Sequence, residues 1–394
     1  MQSISISASR TRSVTPTQVR VGRETHQFPT DRSWAYASPL LLLAFVPFFG
    51  NWRYASRAGH RDTADFAKDL LNSVEPYGVL VTVGDNDTFP LWYAQEVEGV
   101  RRDVVIANTS LLNTDWYVRQ IIRRPVFDYD AAKGPAVYRN AQWAKPKGPP
   151  LHMSMDDADS VPSYMELQRP MLFSKDSIRA TIDPAKLEHP GILQRADLFV
   201  LRMIQDSWPE RPIYFARTSG TYARQLGLGD YTLTQGLASK VFIPPKTTPK
   251  DTMFVQSDGW LDLPRTQALW SNVFVGPQSV LNTGDWIDRP SVGIPYLYIA
   301  TGMELADALR SKGQDADAMK VFTTAKQIAS AVRLGEIVRE ADAAFRTPRP
   351  ETAPARGGAP TGDTGRAVPL PATKAPPATP VAPSKAPTKK PAPQ

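Results

Sequence analysis

The chain has no cysteine, so neither disulfides nor thiolate metal sites contribute to it, and composition leaves the redox character of its compartment open. Histidine is scarce as well. The four present, His26, His60, His152 and His189, are too scattered to argue for a metal and read as solvated or core side chains. A glycine-rich phosphate cradle is missing, which weakens any nucleotide-binding reading. The formal charge of +7 and pI of about 9.4 invite a nucleic-acid reading. The basic residues are spread out, however, and no compact basic motif with interleaved aromatics occurs, so no nucleic-acid partner is expected. Also lacking is an uninterrupted apolar run of roughly 20 residues, the length that spans a bilayer comfortably.

What is there suffices for a core: 394 residues, of which 42% are hydrophobic, room for two domains. The stretch Gly78 to Ile122, GVLVTVGDNDTFPLWYAQEVEGVRRDVVIANTSLLNTDWYVRQII, writes strand, loop and helix twice. Gly78 to Val83 and Val104 to Ala107 are short apolar runs of the kind buried on both faces of a parallel sheet. Between them a helix is expected from Thr88 or Phe89, with Pro90 in its first turn, where a missing N–H does no harm. A third strand follows at Ile213 to Ala216, closing on Thr218-Ser219-Gly220, and Gly236 to Ile243 reads as an added edge strand. The pattern predicts a small parallel-sheet, Rossmann-like three-layer α/β domain.

Around that unit the chain divides as follows. Residues 1–33 are polar and aperiodic, a composition expected to stay disordered. Residues 34–52 hold the most hydrophobic window, AYASPLLLLAFVPFFG, with Trp34 and Trp52 at its edges. It reads as a transmembrane helix with a cytoplasmic N-terminus, or as a buried or interfacial segment, since its apolar run is short. The α/β domain is placed at 53–245, with an aperiodic insert at 123–190 whose Asp156, Asp157 and Asp159 read as a solvated loop. Residues 246–295 are an irregular connector. Residues 296–346 form a helical hairpin: Leu305, Ala306, Leu309, Gly313, Ala318, Phe322 and Ala325 fit a tetratricopeptide-type pair as well as an ordinary hairpin packed on the α/β domain. The Pro, Ala, Thr and Lys tail 347–394 is expected to be disordered.

The segments NWRYASRAGHRDTADFAKDLLNSVEPYGVLVTVGDNDTFPLWYAQEVEGVRRDVVIANTSLLNTDWYVRQI, RPIYFARTSG and LGLGDYTLTQGLASKVF together resemble one family, over roughly Tyr36 to Pro245. It is a bacterial multi-span membrane family of uncharacterised-domain type, similar to protein O-mannosyltransferases among the GT-C glycosyltransferases. The resemblance implies an extracytoplasmic soluble part behind a last membrane helix. It also implies that the catalytic acids lie in an earlier membrane bundle, for which this chain has at most one span.

In an open α/β sheet, ligands gather beyond the carboxyl ends of the strands. The residues so placed are Asp85, Asn86, Asp87, Thr88, Asn108, Thr109, Asn113, Asp115, Thr218 and Ser219. Two readings apply to the GDNDT loop. Its side chains cap helices and complement their dipoles, or Asp85 and Asp87 hold a divalent cation, magnesium or calcium, or sugar hydroxyls, with Asn108 and Ser219. Trp92, Tyr93, Trp116 and Tyr117 read as core or as platforms for sugar rings. Three functions follow as expectations. The first is a membrane-anchored accessory domain of a glycosyltransferase-like system, partnered by lipid, by a separately encoded membrane bundle and by a glycan or protein acceptor. The others are an independent metal-dependent hydrolase or transferase, and a nonfunctional remnant of a split gene.

Overall fold

The computed structural model describes residues 18–21, 24–27, 38–40, 42–245, 252–255, 259–284 and 290–346. Its strands are β1 (Gln18–Val21), β2 (Glu24–Gln27), β3 (Val79–Thr82), β4 (Val105–Asn108), β5 (Tyr164–Glu166), β6 (Met171–Lys175), β7 (Ile178–Ile182), β8 (Ile192–Gln194), β9 (Ile213–Ala216), β10 (Thr232–Gln235), β11 (Ala238–Val241), β12 (Thr252–Val255) and β13 (Gly259–Asp262). Seven of them form one sheet in the order β12-β13-β10-β11-β9-β3-β4. The expected parallel unit is there: β3 lies parallel between β4 and β9, with Thr82 opposite Asn108 and Val81 opposite both Ala107 and Phe215.

The sheet as a whole is mixed, which corrects the all-parallel expectation. β11 runs antiparallel to both β9 and β10. The reason is a two-residue loop, Gly236-Leu237, which can join only antiparallel neighbours. Gly236 has φ 66°, and a Cβ there would meet the Phe274 ring and Ser73 Oγ inside 3.0 Å. The run read as one edge strand from Gly236 is thus half of a hairpin and lies inside the sheet. β12 and β13, in the stretch expected to be irregular, extend the sheet past residue 245.

Alternation along the central strands sends neighbouring side chains to opposite faces. Leu80, Ile106 and Tyr214 enter one core; Val79, Val81, Val105, Ala107, Ile213 and Phe215 enter the other. The helices that matter below are α1 (Phe45–Ala55), α2 (Asp62–Asn72), α3 (Asp85–Glu96), α4 (Thr109–Leu112), α5 (Asp115–Arg123), α6 (Arg195–Ser207), α7 (Leu263–Asn272), α8 (Gly276–Thr283), α9 (Gly293–Ser311) and α10 (Asp315–Ala331). The first core joins α2, α3 and α7 to α10; the second joins α5, α6 and the β6–β7 hairpin. The expected three layers are therefore present. The insert 123–190 is not aperiodic packing material: Ile178, Ala180 and Ile182 alternate inward from β7 and close the second core.

α9 and α10 form the helical pair expected at 296–346, starting three residues earlier. Gly302 sits where a Cβ would meet Trp270 and Ala325 inside 3.0 Å, so the helix approaches closely there. One such pair does not establish a tetratricopeptide unit. Its buried Leu305, Ala306, Leu309 and Phe322 share the first core with the sheet, as an ordinary hairpin on an α/β body does.

Buried ionic groups lock the corner below β3 and β4. Arg101, with φ 48°, directs its guanidinium to Leu71 O and Val74 O at the end of α2 and to both oxygens of Asp103 at 3.0 Å. Asp103 also accepts from Tyr77 N. The cation lies against the rings of Tyr129 and Tyr138.

Two terminal expectations change. Residues 18–27, assigned to a disordered N-terminus, include the β1–β2 hairpin; the rest of 1–33 and the tail 347–394 lie outside the described residues. For the span expected at 34–52, the described part is three helical residues at 38–40, a 3-10 turn at Leu42–Ala44 and the 11-residue α1. Among the described residues no helix is long and apolar enough to cross a membrane.

Candidate functional site at the carboxyl ends of the parallel strands

The GDNDT loop follows β3 directly. Gly84 has φ 92° and ψ −177°, a region open essentially to glycine alone, and this bend lets the helix start at Asp85 rather than at Thr88 or Phe89. Pro90 consequently falls inside α3. No side chain caps α3; Asp85 and Asp87 instead stand in its first turn, where carboxylates oppose the positive end of the helix dipole.

The loop then divides by helical geometry. Asp85 and Asp87 are two residues apart on a helix and point different ways: Asp85 and Asn86 are exposed, whereas Asp87 and Thr88 are buried. Inside, the polar groups saturate one another. Thr88 Oγ1 lies 2.8 Å from Gly84 O, from Thr82 Oγ1 and from Asn108 Nδ2. Asn108 Nδ2 donates its second proton to Gly84 O at 2.5 Å, while its Oδ1 accepts from Leu111 N at 2.8 Å and so caps α4. Tyr117, expected in the core, bridges the same strand end: its hydroxyl donates to Ile106 O and accepts from Asn108 N. Thr218 Oγ1 donates to Asp87 Oδ2 at 2.5 Å, tying the turn after β9 to α3. Burial pushes the Asp87 carboxyl above its ordinary value, against the lowering effect of the Thr218 and Thr88 hydrogen bonds.

The other predicted residues serve different contacts. Thr109 is buried in the first turn of α4. Asn113 Oδ1 accepts from Ala196 N at the start of α6, and Asp115 pairs with Arg195 at 2.5 Å. Ser219 turns back to Ala216 O at 2.7 Å. The crevice thus brings Asp87, Thr88, Asn108 and Thr218 together and leaves Asn113, Asp115 and Ser219 out of the network. Among the described residues no group of three or more histidine, aspartate or glutamate side chains is placed to hold a metal. Asp85 and Asp87 differ in surroundings, the first exposed and the second buried.

Outside, α3 presents a different surface. Asp85, Phe89, Tyr93 and Val97 succeed one another at four-residue intervals, and all are exposed. The exposed Trp116 joins them through a chain of ring contacts: Phe89 to Trp92 at 5.7 Å, Trp92 to Tyr117 at 6.2 Å and Tyr117 to Trp116 at 5.4 Å. Tyr117 is thus a core residue and Trp92 packs partly buried against both cores, while Tyr93 and Trp116 are exposed.

Two groups escaped sequence reasoning. Thr82, at the end of β3, is a member of the buried network and was not singled out. Asp69 is fully buried in the first core layer, accepting from Tyr298 OH at 2.7 Å, Gly276 N at 2.8 Å and Val275 N at 3.0 Å. Burial outweighs these donors and pushes its carboxyl up to about 7. Its place three residues after Phe66, on the apolar stripe of α2, was the signal. An open groove of about 600 Å³ runs nearby, lined by His60, Arg61, Asp65, Phe274, Gln278 and Asn282 among others; no residue of the GDNDT loop lines it.

Residues 63–186 match the family model described as TMEM260-associated domain 2, a stretch that begins in α2, carries β3, α3 and β4, and ends beyond β7. The signature GDNDTFPLWYAQEVEGVRRDV lies wholly within it. No curated protein and no solved structure matches the chain. This chain is therefore similar, over less than half its length, to a TMEM260-associated domain.

Proposed function

We propose that the chain is a membrane-attached accessory domain of a glycosyltransferase-like system, one that binds a glycan or protein acceptor, or the catalytic membrane bundle, and does no sugar transfer alone. The observation that carries this reading is the division of the GDNDT loop. Its inward residues are consumed in a saturated hydrogen-bond network, and its outward residues continue into an exposed stripe of carboxylate and aromatics. Aromatic faces with a neighbouring carboxylate and amide suit sugar rings, whose axial C–H groups stack while hydroxyls hydrogen-bond at the rim. The family match at 63–186 and the resemblance of Tyr36 to Pro245 to protein O-mannosyltransferase-like membrane proteins support the same assignment. An external location of the domain, and a separately encoded multi-span bundle as partner, belong to this proposal.

The test uses the full chain carrying a photo-crosslinking residue in place of Tyr93 in native membranes. Crosslinks to a polytopic membrane protein or to a glycosylated chain, with no sugar turnover by the purified protein in magnesium or calcium, are expected. The rival, an independent α/β enzyme, draws on the buried Asp87 with its raised carboxyl at the strand ends. Metal-dependent turnover by the purified protein, lost in Asp87→Asn with the fold intact, would establish the rival and overturn the accessory reading.

A further inference from the structure

Resting on the membrane attachment just proposed, we infer that the 38–55 segment is an in-plane anchor lying in one leaflet of an anionic bilayer, with both ends of the chain on the same side. In α1, Phe45, Phe48, Phe49 and Trp52 stand at i, i+3, i+4 and i+7, the spacing of one helical stripe. Their rings form one run, with centroids 5.3 Å apart for Phe48–Phe49 and for Phe48–Trp52 and 6.0 Å for Phe45–Phe49. Each of these side chains is more than half exposed, as are Leu40, Leu42, Leu43 and Val46. None of them belongs to either core. An apolar stripe of this size left in water requires an occupant.

Length argues against spanning. Eleven residues at about 1.5 Å each cover roughly half of a hydrocarbon core of about 30 Å. Charge selects the occupant. Residues 1–61 hold eight arginines and only Glu24 and Asp31 as acids, and the body 62–346 holds 31 basic against 35 acidic residues. The positive charge thus brackets the apolar stripe while the body is net negative. Arginines on both sides of a short aromatic helix, with few acids between them, fit an anionic lipid surface, where the arginines meet headgroups, Trp52 sits at the interface and the phenylalanines enter the acyl boundary. An acidic body is repelled from the same surface, which leaves the helix as the point of contact.

The full chain is mixed with phosphatidylcholine vesicles with and without phosphatidylglycerol. The expected result is co-sedimentation with the anionic vesicles, about tenfold or more weaker on neutral ones. Phe48→Ser with Phe49→Ser should abolish it, and Arg53→Gln with Arg57→Gln should weaken it, each with an unchanged thermal melt. Because the chain has no cysteine, Ser13→Cys and Ser384→Cys give unique labels for an impermeant maleimide on sealed membrane vesicles of the expressing cell. Equal labelling or equal protection of the two sites is expected. Labelling of one with protection of the other would mean a spanning segment, overturning the in-plane anchor and sparing the attachment. Absence of lipid binding in every mixture, or assembly into a dimer through the phenylalanines, would overturn the anchor and the attachment together.

Discussion

The GDNDT loop and the 38–55 segment invert the usual sorting of side chains, in opposite directions. At the strand ends, polar groups go inside: Asp87, Thr88, Asn108 and Thr82 are buried and occupied by one another. In α1, apolar groups stay outside: four aromatic rings are in solvent. Free-energy logic reads the two differently. A buried polar group whose partners are all supplied is building material, because removing one partner strands the rest. An exposed apolar stripe has no internal partner and therefore reports on something beyond the fold. The polar cluster that reads as a site from sequence is thus internally satisfied, and the surfaces proposed above for interaction are the exposed stripe of α1 and the outer face of α3.

The comparison can be broken from the structural side first. Arg101→Ala should have the largest effect, since it leaves Asp103 buried without its cation and uncaps the last carbonyls of α2. About 3–5 kcal/mol of stability should be lost, read from urea unfolding. Next, Asn108→Ala removes the partner of Gly84 O, Thr88 Oγ1 and Leu111 N. A loss of about 2–3 kcal/mol is expected; a neutral result would mean that the network is not structural.

Asp69→Asn sharpens the electrostatic side. The folded Asp69 titrates at about 7 against 3.8 for the free group. The folded state therefore holds a proton that the unfolded chain releases. Its stabilising contribution is complete below about pH 4 and is lost as pH climbs through about 7. In Asp69→Asn that slope should disappear, along with about 1–3 kcal/mol from mismatched donors at Val275 N and Gly276 N. Equal slopes in both proteins between pH 4 and 7 would contradict the assignment. The smallest effect is expected in α1: Phe48→Ser with Phe49→Ser should change stability by less than about 0.5 kcal/mol, because neither ring is in a core.

The parallel unit β3-α3-β4, with β9, was legible because charge-free strands between helical patterns leave few alternatives. The helical pair was legible from Leu305, Ala306, Phe322 and Ala325 at helical spacing. The hairpin at Gly236-Leu237 was not, since its two strands read as one run unless the glycine is recognised as a turn. β6 and β7 were hidden by short alternation in a proline-rich setting. At the site, the sequence reading includes Asp87, Asn108 and Thr218 but could not tell that Asp85 is exposed while Asp87 is buried; that follows from the bend at Gly84, which starts the helix at Asp85. Asp69 offered only its place on the apolar stripe of α2 as a signal, because its partners, Val275, Gly276 and Tyr298, lie more than 200 residues on.

The most direct measurement is co-sedimentation of the full chain with phosphatidylglycerol-containing vesicles beside the Phe48→Ser, Phe49→Ser variant. Pelleting of the natural chain and loss of pelleting in a variant of unchanged stability would bear out the division between a self-satisfied interior and an outward-facing anchor. Equal pelleting of both, or of neither, would contradict it.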